Sequence, residues 1–185
     1  MKQSIILLLY LTLLFSRCSD HQSPTKSDNQ QEFGSGDEYD VYYTLLIKHK
    51  TSEENTEKYV LADSTIDGNI LHSIDYLKES MPSLEDEILN DFMRINQERI
   101  QLKNIPDTED WCFLIAYDNA RNWDDIYPAA DALLHISRVG FNSQKDQALV
   151  YISFYYAPLA GSGNLILLVK DSGWIVVQSL MLWIS

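Results

Sequence analysis

Cysteine is scarce, with only Cys18 and Cys112 in 185 residues, too few for a disulfide scaffold. Glycine and proline are sparse as well, at 7 and 5, which excludes collagen-like and low-complexity chains. Basic residues are outnumbered: 14 Lys and Arg against 27 Asp and Glu leave a formal net charge of -13. A surface that acidic repels a phosphate backbone instead of releasing its counterions, so nucleic acid is not an expected partner. No apolar run reaches the roughly 20 residues that a membrane-spanning helix needs. The four histidines, His21, His49, His72 and His135, are scattered without metal-binding spacing, and no metal or other cofactor is expected.

What is present begins with an address. Lys2 supplies a positive charge, and Ile5 to Phe15 is an uncharged, largely apolar stretch of eleven residues. That length suits the apolar region of a secretory signal. Cys18 follows at once, and the chain then turns polar. A cysteine in that place resembles the lipobox of bacterial lipoproteins, where the thiol is diacylated and the signal, here residues 1–17, is removed. Arg17 stands where the lipobox has a small residue. The alternative is an ordinary secretory signal with Cys18 an incidental thiol. Lipidation of Cys18 makes the membrane a partner and the cell envelope the location, because several acyl chains on one residue anchor firmly where a single chain does not.

Residues 18–37 read as a polar tether. Ser19 to Glu32 contains no large apolar side chain and cannot bury enough surface to offset the entropy of ordering. One domain is expected over residues 38–185. Tyr39 to Ile47 fits both helical and alternating patterns; it is read as a helix with Tyr39, Tyr42, Tyr43, Leu46 and Ile47 on its apolar face. Lys58 to Ala62 reads as a strand, followed by a turn at Asp67-Gly68-Asn69. Ile70 to Met81 reads as a helix that Pro82 stops. Ser83 is the expected N-cap of a further helix with the stripe Leu84, Ile88, Phe92 and Ile95. Cys112 to Tyr117 reads as a strand and Asn122 to Tyr127 as a turn or short helix.

From Leu133 onward the pattern changes. Leu134 to Phe141, Ala148 to Tyr156, Asn164 to Lys170 and Trp174 to Ile184 read as four strands with short links, one of them through Gly161-Ser162-Gly163. Charge divides the chain in the same way. Residues 39–131 hold 20 acids and 8 bases, whereas residues 132–185 hold two acids and three bases. Trp174 to Ile184 is apolar on both faces, which predicts an inner strand, since an exposed edge of that composition invites strand addition. The expected class is α+β: N-terminal amphipathic helices packed on a mainly antiparallel C-terminal sheet, a four-strand meander with one or two upstream strands.

Several segments together resemble a family of uncharacterised exported bacterial proteins. They are Ser137-Arg138-Val139-Gly140-Phe141-Asn142, Gln147 to Tyr151, Leu159 to Gly163, Gly173-Trp174 and the closing Trp183-Ile184-Ser185. The resemblance implies a compact single domain behind a signal or lipid anchor, and it brings no activity.

Candidate chemistry is thin. Cys112 lies in the apolar run Trp111 to Ile115, where a thiol acts as a small hydrophobe. Gly161-Ser162-Gly163 lacks the lysine and following helix of a phosphate loop and reads as a turn. Arg138, among the few bases of the apolar C-terminal third, must find a carboxylate or carbonyls, or await an anionic ligand. Three function classes follow. The first is a non-catalytic binding or accessory domain at the envelope. The second is a hydrolase acting on envelope sugars or peptides through a carboxylate pair drawn from Asp118, Asp124 and Asp125. The third is an interaction protein using the aromatic run Tyr151, Phe154, Tyr155 and Tyr156.

Overall fold

A computed structural model of the chain describes residues 36–48, 57–67, 70–71, 73–102 and 112–185. Arg17, Cys18, His21, His49, His72 and the turn at Gly68-Asn69 lie outside them. Helix α1 (Gly36–Lys48) starts two residues ahead of the expected boundary at 38. Its inward face is Glu38, Val41, Tyr42, Leu45 and Leu46, while Tyr43 is exposed. The apolar stripe is thus turned by one position from the expected one, and the turn brings Glu38 inward to Arg138.

Strand β1 (Tyr59–Ala62) is buried throughout. Helix α2 (Ile74–Ser80) is shorter than the pattern predicts, because Ser73 caps it by accepting the Tyr76 N–H at 3.3 Å. Helix α3 (Asp86–Ile95) is flanked by Glu85, which makes no side-chain cap. The expected cap, Ser83, lies earlier in a turn. Acidic Asp86 and Glu87 still occupy the first turn of α3, where the helix dipole favours them. Leu84, Ile88, Leu89 and Phe92 are buried, each contributing on the order of 1.5–3 kcal/mol.

Strand β2 (Cys112–Ile115) is followed by a 3-10 turn at Tyr117–Asn122 and the short helix α4 (Trp123–Ile126). Then come β3 (Ala132–Ile136), β4 (Gly140–Phe141), β5 (Gln147–Ala157), β6 (Ala160–Lys170) and β7 (Trp174–Ile184). They form one seven-stranded sheet in the order β2-β1-β3-β5-β6-β7, with β4 beside β5. β1 runs parallel to β2 and β3, and every later pairing is antiparallel. The class is α+β, as the sequence predicts.

Both faces of the sheet are covered. On one face, Val41, Tyr42, Leu45 and Leu46 of α1 meet Leu134, Ile136, Ala148, Val150, Ile152 and Leu168. On the other, α2 and α3 cover Leu149, Tyr151, Leu165 and Leu167. The same side also carries a smaller cluster, in which Ala120 and Trp123 cover Val60, Ile115 and Leu133. β5 is consequently buried on both sides from Ala148 to Phe154, as an inner strand must be.

Three expectations for the C-terminal strands are corrected. The run 134–141 is not one strand; residues 137–139 break it between β3 and β4. Gly161-Ser162-Gly163 is not a link but part of β6, and the link to β5 is Pro158-Leu159. The two glycines leave room for an indole: a Cβ on Gly163 would collide with Trp183 Nε1 and the Tyr151 hydroxyl, and one on Gly161 would lie 3.3 Å from the Trp183 ring. Finally, among the described residues β7 pairs with β6 alone and so is an edge strand. Its apolarity on both faces has another cause. The register to β6 slips at Val177 and again at Leu182, and each added residue moves the inward side chains to the opposite parity. Val176 therefore joins the α1 side, while Leu180 and Leu182 join the α2/α3 side. Ile175, Val177, Met181 and Ile184 remain exposed.

Candidate functional site

Arg138 does not await a ligand. Its Nε and Nη2 donate to the two carboxylate oxygens of Glu38 at 3.2 and 3.1 Å, in the two-pronged geometry that suits a guanidinium. The backbone around it is fixed just as fully. Glu38 Oε1 also accepts the Val139 N–H at 3.1 Å. Tyr42 donates its hydroxyl to the Ser137 carbonyl at 2.9 Å. Asn96, past the end of α3, accepts the Arg138 N–H at 2.8 Å and donates to its carbonyl at 3.2 Å. Burial among these groups pushes the Tyr42 hydroxyl well above its ordinary value, with the Glu38 carboxylate adding to the effect. The side chain sits not on a strand with Leu134 and Ile136 but in the break between β3 and β4, as part of a structural clasp.

Cys112 is buried and free, and burial pushes its thiol up to about 12, far from the range of a reactive thiolate. Of the aromatic run, Tyr151 and Phe154 are buried, Tyr155 is half-buried, and only Tyr156 is exposed. That overturns the reading of the run as a docking surface.

The strongest feature was not singled out as a site in the sequence. On β3, Ala132, Leu134 and Ile136 face α1, so Leu133 and His135 face the opposite side. Register places Tyr155 of β5 opposite Leu133 and Ser153 opposite His135. The 3-10 turn brings Tyr117 to the same place. Between them lies a cavity of about 580 Å³, with Tyr117, Trp123, Leu133, His135 and Tyr155 as its walls. Asp118, Arg121 and Asp124 border it and are exposed. That volume falls within the roughly 300–1,000 Å³ of small-molecule sites.

His135 stands between two tyrosines. Tyr117 and Tyr155 meet it edge-on, with ring centroids 5.4 and 5.5 Å away and interplanar angles of 83° and 78°. The Arg99 guanidinium lies 3.8 Å from the centroid of Tyr117, within the range of a cation–π contact, and holds that ring in place. His135 Nδ1 is buried without a hydrogen-bond partner among the described residues. Burial, and then the positive charge of Arg99, push the imidazole down to about 4, so it is neutral at neutral pH. An unpaired polar atom beside a cavity is unusual in a folded chain, where buried polar groups are nearly always satisfied.

Among the candidate carboxylates, Asp118 and Asp124 border this cleft and Asp125 does not. Among the described residues no cluster of three or more His, Cys, Asp or Glu side chains could hold a metal ion. A sequence signal for the cleft did exist: the alternation of β3 sets His135 on a face apart from its apolar neighbours. What sequence could not supply is Tyr117 and Tyr155, which come from distant segments. No family model matches the chain, and no curated protein or solved structure is similar to it.

Proposed function

We propose that this chain is a non-catalytic binding domain, exported and held at the cell envelope by lipid on Cys18, and that the cleft around His135 is where it binds. The observation that carries this reading is the aromatic-walled cavity lined by His135, neither of whose ring nitrogens has a hydrogen-bond partner among the described residues. Nδ1 itself is closed off, and Nε2, the nitrogen that is not fully buried, is the one a ligand in such a cavity can engage. The hydrolase reading keeps one supporting fact, the placement of Asp118 and Asp124 on the same cleft. Both are exposed, whereas a glycosidase acid works from a desolvated carboxyl. His135, held down to about 4, is too weak a base for efficient proton transfer near neutral pH.

Ligand-detected NMR on the full chain with a library of small polar compounds tests the site. Hits should lose their saturation transfer in His135→Phe and in Arg121→Glu. Hits that bind both variants as well as wild type would place binding elsewhere. The anchor is tested separately: a radioactive fatty acid should label the wild-type protein and not Cys18→Ala, and an unlabelled wild type would refute lipidation.

A further inference from the structure

Three features of the cleft narrow the chemistry of its ligand. The first is the proton on His135. A neutral imidazole carries one N–H, and neither ring nitrogen has a hydrogen-bond partner among the described residues. A buried N–H left unpaired is rarer than a buried acceptor left unpaired. On that ground the proton is assigned to Nε2, the nitrogen that is not fully buried. His135 then offers the cleft a neutral donor, which calls for an oxygen acceptor on the ligand.

The second feature is the wall. Tyr117, Tyr155 and Trp123 give the cavity aromatic surface, which favours a ligand with a flat apolar face. The third is the rim, where Asp118 and Asp124 accept hydrogen bonds and Arg121 donates them. An anion would meet two carboxylates and an uncharged imidazole. A cation would meet the same carboxylates, but set against Arg121 at the rim and the Arg99 guanidinium behind Tyr117, so the charges balance and neither sign is favoured. A purely apolar ligand would leave the His135 donor unpaired, which costs affinity. The remaining class has hydroxyls that both donate and accept at its edge and C–H groups on its face.

Resting on the binding reading above, we infer that the cleft takes a neutral carbohydrate ring, seated on the tyrosine and tryptophan walls, with one ring oxygen or hydroxyl accepting from His135 Nε2 and others donating to Asp118 and Asp124. The cavity is large enough to seat such a ring, and its recognition needs no charge on the histidine.

The test titrates the full chain, in a detergent without a sugar headgroup, with neutral hexose and N-acetylhexosamine tetrasaccharides, following tryptophan fluorescence and the ligand's own NMR signals. At least one tetrasaccharide should bind, and His135→Phe, which keeps the ring's shape and removes the donor, should weaken it about tenfold. The exposed pair Asp118→Asn/Asp124→Asn provides a second variant that does not depend on the core, and it should weaken binding by a similar factor. If no tetrasaccharide binds while neutral phenols or amines bind and lose affinity in His135→Phe, the carbohydrate assignment is wrong and the cleft reading stands. If tetrasaccharides bind wild type and both variants equally, the carbohydrate site lies elsewhere and both inferences fall.

Discussion

From Ser137 to Asn142 the polar groups of the chain are closed off from inside. Ser137 Oγ accepts the Tyr151 N–H at 2.8 Å, Arg138 is gripped by Glu38, and Phe141 N donates to Asp91 at 2.9 Å. Asn142 Oδ1 accepts from the backbone of both Asp146 and Gln147. Gly140 lies so close to α3 that a Cβ there would sit 2.6 Å from the Phe92 nitrogen. Two residues before this stretch, the imidazole of His135 has aromatic neighbours and no hydrogen bond among the described residues. The contrast separates two uses of polar residues. A charge paired within the fold specifies where α1 and α3 meet the sheet, and a neutral group left unpaired at a cavity is available to a ligand.

The contrast can be broken at its stronger end first. Arg138→Ala leaves Glu38 buried without its counter-charge, and breaking a buried pair from one side typically costs about 3–5 kcal/mol. Chemical denaturation should show a loss of that order. Ligand affinity, measured where the variant is still folded, should not change. A loss below about 1 kcal/mol would show that the clasp is not structural.

Next in size is the pH dependence. The ordinary value for His135 is 6.5 and the folded chain holds it at about 4. Between those values the unfolded chain binds a proton that the folded chain refuses, so stability is full above pH 6.5 and falls as pH drops towards 4. At about 1.4 kcal/mol per unit the whole loss is on the order of 3 kcal/mol. Asp37, held below its usual 3.8 by Lys145 and then Lys170, acts in the same direction: its contribution is present above 3.8 and is lost as pH falls further. Thermal unfolding of wild type and His135→Phe should diverge in slope between pH 6.5 and 4, with the variant flatter. Parallel slopes would mean that His135 titrates normally.

Trp183→Ala tests the closing strand. The indole donates to the Tyr151 hydroxyl at 2.6 Å and packs on Tyr155 at a centroid distance of 5.5 Å, yet it is only half-buried on an edge strand. Full burial of a tryptophan would put the cost at about 3–5 kcal/mol, and half-burial brings it to about 2. The melting temperature should fall while the secondary structure seen by circular dichroism survives. The smallest effect belongs to the edge itself. Val177→Lys, at an exposed bulge position, should change stability by no more than about 0.5 kcal/mol and reduce aggregation of the concentrated protein. A large loss of stability would mean that Val177 is covered.

Much of this molecule was legible from local pattern. The amphipathic stripe of α3 (though not its capping position), the meander of β5 to β7 and the tendency of α1 to helix all follow from periodicity. The errors share one origin, which is that long-range contacts set what periodicity leaves open. Glu38 chose the rotation of α1 because Arg138 waits a hundred residues away. The glycines of β6 look like a turn until Trp183 is seen lying over them. β7 looks like an inner strand because bulges, invisible in a composition, switch its face twice. The cleft was the least legible part. Asp118 and Asp124 were in view as carboxylates, but Tyr117 and Tyr155 become neighbours of His135 only through sheet register.

The most direct test observes the imidazole of His135 itself. Long-range proton–nitrogen NMR correlation on the full chain at neutral pH distinguishes a protonated ring, either neutral tautomer, and a ring engaged by ligand. The free protein should show a neutral ring protonated on Nε2, and a bound tetrasaccharide should shift that nitrogen while the Arg138 guanidinium stays where it was. A charged imidazole in the free protein, or a ligand that moves Arg138 and leaves His135 unchanged, would contradict the assignment of the clasp to structure and the cleft to binding.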